Sequence, residues 1–297
     1  MTRSCQPVLS ALLLACVLSG MNTLVHAQEL SLLWTTDGFS NPESVIYDIT
    51  SDAIYVSSVN GAAMEKDGNG FISKAGPDGA LLERDWVSGL NAPMGLAVHG
   101  SKLYVADIDT LLEIDVPTAM LTNRYAVADA RFLNDVTAAD NGDIYVTDML
   151  LNRIHRLHNG QFEVWLESPE LESPNGVLAE GDHLIVGAWG VMTEGFNTDR
   201  PGHLKIVSLT DKTIRSLGDG SPIGNLDGVE GDASGGYYVT DWKAGTLLHV
   251  DPTGKAEVLL NLGEGSADHD FIREEDLILI PMMKDNRLLA YRVNRQE

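Results

Sequence analysis

The chain has 297 residues, and its 43 acidic against 20 basic side chains leave a formal charge of −23. So negative a surface repels nucleic acid phosphates and anionic lipid headgroups, and it favours cations. The acidic residues are spread along the sequence rather than gathered in a tail, which marks a solubilised surface and not an acidic binding arm.

Arg3 precedes a mostly apolar stretch from Pro7 to Leu18, and Val25-His26-Ala27 sets small residues where a signal peptidase reads. Residues 1–27 are therefore expected to be a cleaved secretory signal peptide and residues 28–297 the mature domain, periplasmic or secreted. The apolar run is shorter than the roughly 18 residues that a membrane span needs. Bulky Leu14 ahead of Cys16 also suits a lipoprotein cleavage box poorly. Both cysteines, Cys5 and Cys16, fall inside this leader, so the mature domain has no disulfide and relies on a large core. Loss of Arg3 takes the charge to −24.

From residue 30 onward a short phrase recurs six times, followed each time by a β-rich run. The phrases open at Glu43, Met94, Asn134, Asn175, Asp227 and His269, and the runs are AIYVSS, KLYVAD, DIYVTD, HLIVGA, GYYVTD and LILIPM. Their central residues, Tyr55, Tyr104, Tyr145, Ile185, Tyr238 and Leu279, are 49, 41, 40, 53 and 41 residues apart. A period of about 40–50 residues with several short strands per repeat is that of a β-propeller blade. Richness in Val, Ile, Tyr and Thr, with Gly or Asp as punctuation, excludes a helical solenoid. The third copy shows the plan: an inner strand at Val136–Ala138, a turn at Asn141-Gly142, then strands at Ile144–Thr147, Arg153–Leu157 and Phe162–Leu166. The sixth copy lacks an outer strand, and Leu30–Thr35 is a spare strand before the first. The fold expected is an all-β, six-bladed propeller closed by pairing of the N-terminal strand with the last blade. Two copies carry insertions, at Asn60–Gly70 and Val191–Gly202, and the second could overhang the tunnel mouth.

Inner strands line a propeller's tunnel, so equivalent positions of successive blades stand at one height. The ring then reads Glu43, Met94, Asn134, Asn175, Asp227 and His269. Four oxygen donors carrying two negative charges, with no Lys or Arg among them, suit a hard divalent ion, Ca2+ ahead of Mg2+, Mn2+ or Zn2+. His269, titrating near neutral pH, is a candidate general base in the same ring. Trp189 and Trp242, each just past a second strand, are candidates to wall a substrate pocket beside Met94. Asp107, Asp148 and Asp241 end their strands in a repeated phrase and read as turn formers. Asp67-Gly68-Asn69-Gly70 has Asp78 where an EF-hand loop needs Glu, and there is no complete P-loop, His-Glu-x-x-His or Gly-x-Ser-x-Gly.

PESVIYD at 42–48, LNDV at 133–136 followed by NGDIYVTD, PNGV at 174–177 and LDGV at 226–229 followed by GGYYVTD together resemble the SMP-30/gluconolactonase family. The resemblance spans the mature chain and is closest in blades three to five. It implies a six-bladed propeller, distantly similar to paraoxonase and diisopropylfluorophosphatase, with a cation, usually calcium, on Glu43, Asn134, Asn175 and Asp227. It further implies metal-dependent hydrolysis of a lactone or related ester, with Asp227 as base or nucleophile and His269 as the second candidate. Ser44-Val45 stands where the family usually has Gly-Pro, and Arg131 is three positions ahead of Asn134 rather than next to it. With apolar Met94 in the ring, these departures favour a less polar lactone or ester over a sugar lactone. The partner expected is that small molecule, with no nucleic acid and no membrane span, the protein acting as a monomer. The competing reading is a non-catalytic exported binding module with a structural metal, since propellers host both roles.

Overall fold

The computed structural model describes residues 1–2, 29–232 and 234–294; nearly all of the expected leader, including both cysteines, lies outside the described residues. After β1 (Glu29–Asp37), the first blade is β2 (Pro42–Asp48), β3 (Ala53–Ser58), β4 (Gly70–Ala75) and β5 (Leu81–Leu90). The second is β6 (Pro93–His99), β7 (Lys102–Asp107), β8 (Thr110–Asp115) and β9 (Met120–Ala126). The third is β10 (Leu133–Ala138), β11 (Ile144–Asp148), β12 (Arg153–His158) and β13 (Gln161–Glu167). The fourth holds β14 (Pro174–Glu180), β15 (His183–Ala188), β18 (Leu204–Ser208) and β19 (Ile214–Ser216), interrupted by a separate hairpin of β16 (Gly190–Met192) and β17 (Thr198–Pro201). The fifth is β20 (Leu226–Gly231), β21 (Tyr237–Asp241), β22 (Thr246–Val250) and β23 (Ala256–Asn261). The sixth combines β24 (Asp270–Ile272), β25 (Leu277–Met282) and β26 (Arg287–Asn294) with β1 as its outer strand. The ring is thus a six-bladed propeller clasped by β1, which runs antiparallel to β26 from Glu29↔Asn294 to Asp37↔Arg287.

The inner strands β2, β6, β10, β14, β20 and β24 contact one another in a closed circle. Second strands such as Ile144–Asp148 and Tyr237–Asp241 are buried on both faces, so they read as unbroken β-branched and aromatic runs. Their side chains and those of neighbouring strands fill the seams between blades: Tyr55, Leu96 and Leu112 between the first two, Tyr238, Phe271 and Ile278 between the last two. Each such residue, fully buried, contributes about 1.5–3 kcal/mol. The strand-ending aspartates do what a turn former does. Asp107 accepts from the Ala92 amide at 2.8 Å and Asp148 from the Arg131 amide at 2.9 Å, tying each second strand to the loop entering its inner strand.

Every one of the first five inner strands carries a bulge at the same place, between Pro42 and Val45, Pro93 and Leu96, Leu133 and Val136, Pro174 and Val177, and Leu226 and Val229. A bulge re-aims side chains, and here it turns Glu43, Met94, Asn134, Asn175 and Asp227 toward one another. The residue after each is squeezed between inner strands. A Cβ on Gly176 would stand 1.8 Å from the Asp227 carbonyl oxygen, which explains the Asn-Gly phrase.

The sixth blade departs from the register expected of the sequence. Ser266 bridges Met282 and Asp270 pairs with Leu279, which puts Ala267-Asp268 in the bulge. Hydroxyls agree: Thr147 donates to the Asn175 carbonyl at 2.8 Å, and Thr240 donates equivalently to the Ala267 carbonyl at 3.0 Å. Ala267 therefore occupies the sixth ring position, and His269 lies two residues farther along its strand.

Candidate metal centre

Five of the six ring positions face one cavity of about 200 Å³, lined by Glu43, Met94, Asn134, Asn175 and Asp227. All five are between 2% and 6% exposed. Buried polar atoms ordinarily find partners, yet Glu43 Oε2, Asn175 Oδ1 and Asp227 Oδ1 have none. Asn175 is oriented by its other end, since Nδ2 donates to the Leu226 carbonyl at 3.1 Å and so leaves Oδ1 free. The Asn134 amide nitrogen is 3.8 Å from Met149 Sδ, which leaves its oxygen available in the same way. Two carboxylates and two amides are a hard oxygen set, the chemistry of a calcium site. Among the described residues no three His, Cys, Asp or Glu side chains cluster for a metal, so a cation here would depend on the two asparagines.

Burial pushes the Glu43 carboxyl well above the usual carboxylate range, and Asp227, Asp268 and Asp135 push it further. Asp227 is raised in the same sense by burial, then by Asp268 and Asp241. A divalent cation among these groups would reverse that trend by supplying the missing opposite charge. The residues present therefore fit such an ion.

The cavity walls are apolar. Trp189 and Trp242 lie with ring centroids 6.1 Å apart, and Phe132, Met149, Phe196 and Met283 complete the enclosure with Ala63 and Lys243. Four of the wall residues, Met149, Trp189, Trp242 and Met283, each stand one place after the end of a second strand. Only the two tryptophans attract notice in the sequence, but the shared offset was available for all four. Phe132, two residues before Asn134, and Phe196, in the β16–β17 hairpin, have no such signal.

His269 is not among the residues lining this cavity. It borders a second one, of about 160 Å³, formed farther along the inner strands with Asp135, Glu230, Asp268 and Asp270. It remains next to the ring through its neighbour strand, since a Cβ on Gly228 would stand 2.6 Å from His269 Nδ1.

No protein-family model matches the chain, and no curated protein matches its sequence. Solved structures do match. A gluconolactonase from Xanthomonas campestris aligns with a TM-score of 0.67 at 16% identity over 89% of each chain. A streptogramin B lyase aligns with a TM-score of 0.62 at 12% identity, covering 90% of this chain and 98% of its own. A virginiamycin B lyase from Staphylococcus aureus, solved with quinupristin as a catalytically inactive histidine-to-alanine variant, gives 0.57 at 12% identity, covering 90% and 100%. These likenesses establish the shared propeller fold, and a gluconolactonase is among its bearers.

Proposed function

We propose that the chain is an exported, calcium-dependent hydrolase of a lactone or related ester of low polarity. The observation that carries this reading is the convergence of unpartnered, buried oxygens of Glu43, Asn175 and Asp227 on one apolar cavity. Glu43, Asn134, Asn175 and Asp227 would hold the cation, two charges against two. When bound, it supplies a fixed positive charge where a carbonyl oxygen becomes an oxyanion.

The chain's own residues supply the rest. A cation lowers the basicity of a carboxylate it binds, so Asp227 would hold the ion through one oxygen and turn the other to the attacking water. Asp227 therefore serves as base. It takes a proton from water as the water oxygen bonds to the acyl carbon, and it returns the proton to the leaving oxygen as the acyl C–O bond breaks. The product is a hydroxy acid from a lactone, or an acid and an alcohol from an ester. Direct attack by Asp227 is the alternative route to the same products, and His269 is the second candidate base. Trp189, Trp242 and Met94 exclude bulk water and seat the apolar part of the substrate.

The test compares variants at saturating calcium against a panel of lactones and esters. Asn175→Ala removes a neutral ligand, so calcium affinity should fall and excess calcium should restore activity. Asp227→Asn keeps an oxygen donor without the basic carboxylate and should lose about 10²-fold or more in turnover even when saturated. Full activity in saturated Asp227→Asn would transfer the base to His269. Products formed in ¹⁸O-water separate this reaction from the elimination that the lyase neighbours bring to mind, because only hydrolysis places solvent oxygen in the acid. Calcium bound without turnover of any lactone or ester would favour the binding module.

A further inference from the structure

The tip of the β16–β17 hairpin brings Phe196 to the cavity wall, where three residues hold it. The Phe196 ring lies 5.6 Å from that of Phe132, tilted by 52°, and 6.5 Å from Trp189, nearly edge-on at 75°. The Phe196 carbonyl accepts from Trp189 Nε1 at 3.0 Å and from Lys243 Nζ at 2.6 Å. The same Lys243 ammonium stands 5.4 Å above the Trp189 ring, a cation–π distance. Farther down, Asn225 Nδ2 donates to Thr198 Oγ1 at 3.1 Å, and Arg200 pairs with Glu172. The hairpin is thus tied to blades four and five at tip and neck, while Phe196 stays 39% exposed. So large an apolar group left half in water beside an apolar cavity is placed to be covered by a ligand.

Among the described residues, no Ser, Thr, Tyr, Gln or Arg side chain lines this cavity; away from the oxygen donors they offer four aromatic rings, three thioethers, the methyl of Ala63 and the cation of Lys243. A polyhydroxylated lactone would leave its hydroxyls unpaired against those walls, a strong ground for rejection. Flat apolar groups gain instead, by offset or edge-to-face contact with rings already set 5–7 Å apart.

We propose that Phe196 determines substrate specificity, selecting a lactone or ester that carries an apolar ring beside its carbonyl, and that Lys243 is the positioning residue that holds Phe196 over the site. The location of the carbonyl rests on the hydrolytic function proposed above; recognition of the apolar ring does not. Phe196 belongs to an inserted hairpin outside the four-stranded blades, so its loss leaves the propeller's ladders intact.

The experiment uses the full mature chain and two probes, α-phenyl-γ-butyrolactone and unsubstituted γ-butyrolactone, with affinities read from quenching of tryptophan fluorescence. Binding is measured in the first seconds after mixing, and hydrolysis is followed separately. The wild type should favour the phenyl-bearing probe at least tenfold. Phe196→Ala should cut that ratio about tenfold, and Phe196→Leu should fall between, since it keeps apolar bulk without the ring. Lys243→Met should lower the ratio several-fold, and Lys243→Arg, which keeps a donor for the Phe196 carbonyl, should restore it. A wild type without preference, or a ratio within twofold of wild type in both Phe196 variants, overturns the inference. If no lactone is hydrolysed but the ratio collapses in Phe196→Ala, the aromatic cap stands and the hydrolytic function falls. Hydrolysis with an unchanged ratio does the reverse.

Discussion

At His269 both ring nitrogens lack a hydrogen-bond partner although the residue is only 2% exposed. Burial disfavours the charged imidazolium and pushes its pKa down to about 3. In the unfolded chain the same group titrates near 6.5. Between these values the unfolded state binds a proton that the folded state refuses, so this residue makes stability fall as pH drops from about 6.5 toward 3. Asp270, pushed up to about 6 chiefly by burial, works with the opposite sign over part of that window, because its folded form takes up the proton first. A comparison of variants isolates the histidine. His269→Gln should lose about 2–3 kcal/mol less stability than wild type between pH 7 and pH 4.5, read by urea denaturation at each pH. Equal losses in the two proteins would show that the imidazole is protonated in the fold. The oxygen donors themselves were legible, because a bulge that repeats in five strands repeats its sequence. His269 was misplaced by two positions because His269-Asp270-Phe271 imitates the Asn134-Asp135-Val136 phrase, while the true ring residue, Ala267, carries no functional group.

An element with no fully buried residue carries the closure. Most of β1 is exposed, but Leu30 packs in the seam of the last two blades and Trp34 in the seam of the last and first. The Trp34 ring also lies where a Cβ on Gly79 would be 2.6 Å away, so β1 is keyed to the first blade as well as hydrogen-bonded to the sixth. Removing residues 29–37 would leave β26 with an unpaired edge and a seam without its tryptophan. A chain beginning at residue 38 should melt on the order of 10 °C below one beginning at residue 28, followed by circular dichroism. Equal melting would mean that the ring is held by its inner circle alone. The strands of blade three match their sequence expectation to within a few residues, since alternating burial and Gly turns are local signals. The Val191–Gly202 insertion was legible as an excursion that could overhang the tunnel mouth, but its partners were not. Its partners Phe132 and Lys243 lie 64 and 47 residues from Phe196 in sequence, and only the closed ring brings them together.

For the whole molecule, the excess of acidic side chains meets its sharpest local expression inside the tunnel. Glu43, Asp135, Asp227, Glu230 and Asp268 are all raised by burial first and by one another afterwards. A ligand that binds only the folded state stabilises it by mass action, about 2.7 kcal/mol at a hundredfold excess over Kd. For a domain of this size that is a rise of roughly 5–10 °C in melting temperature. Calcium should produce that rise, a chelator should reverse it, and elemental analysis after dialysis should return about one calcium per chain. Melting indifferent to both, with no bound metal, would remove the cation from the tunnel.

The clasp also dictates an order of events. Glu29 pairs with Asn294, so one blade joins the first strand of the propeller to its last three. Five blades can form from neighbouring segments, but the sixth waits for β26. Loop-closure entropy must be met before this most distant pairing returns anything, which makes ring closure the late and slow step. Until then the inner circle is open, the bulges have no opposite neighbours, and the oxygen donors are spread along an arc. The ring of oxygen donors therefore closes only once β26 has been made, so a partly synthesised chain has no complete tunnel.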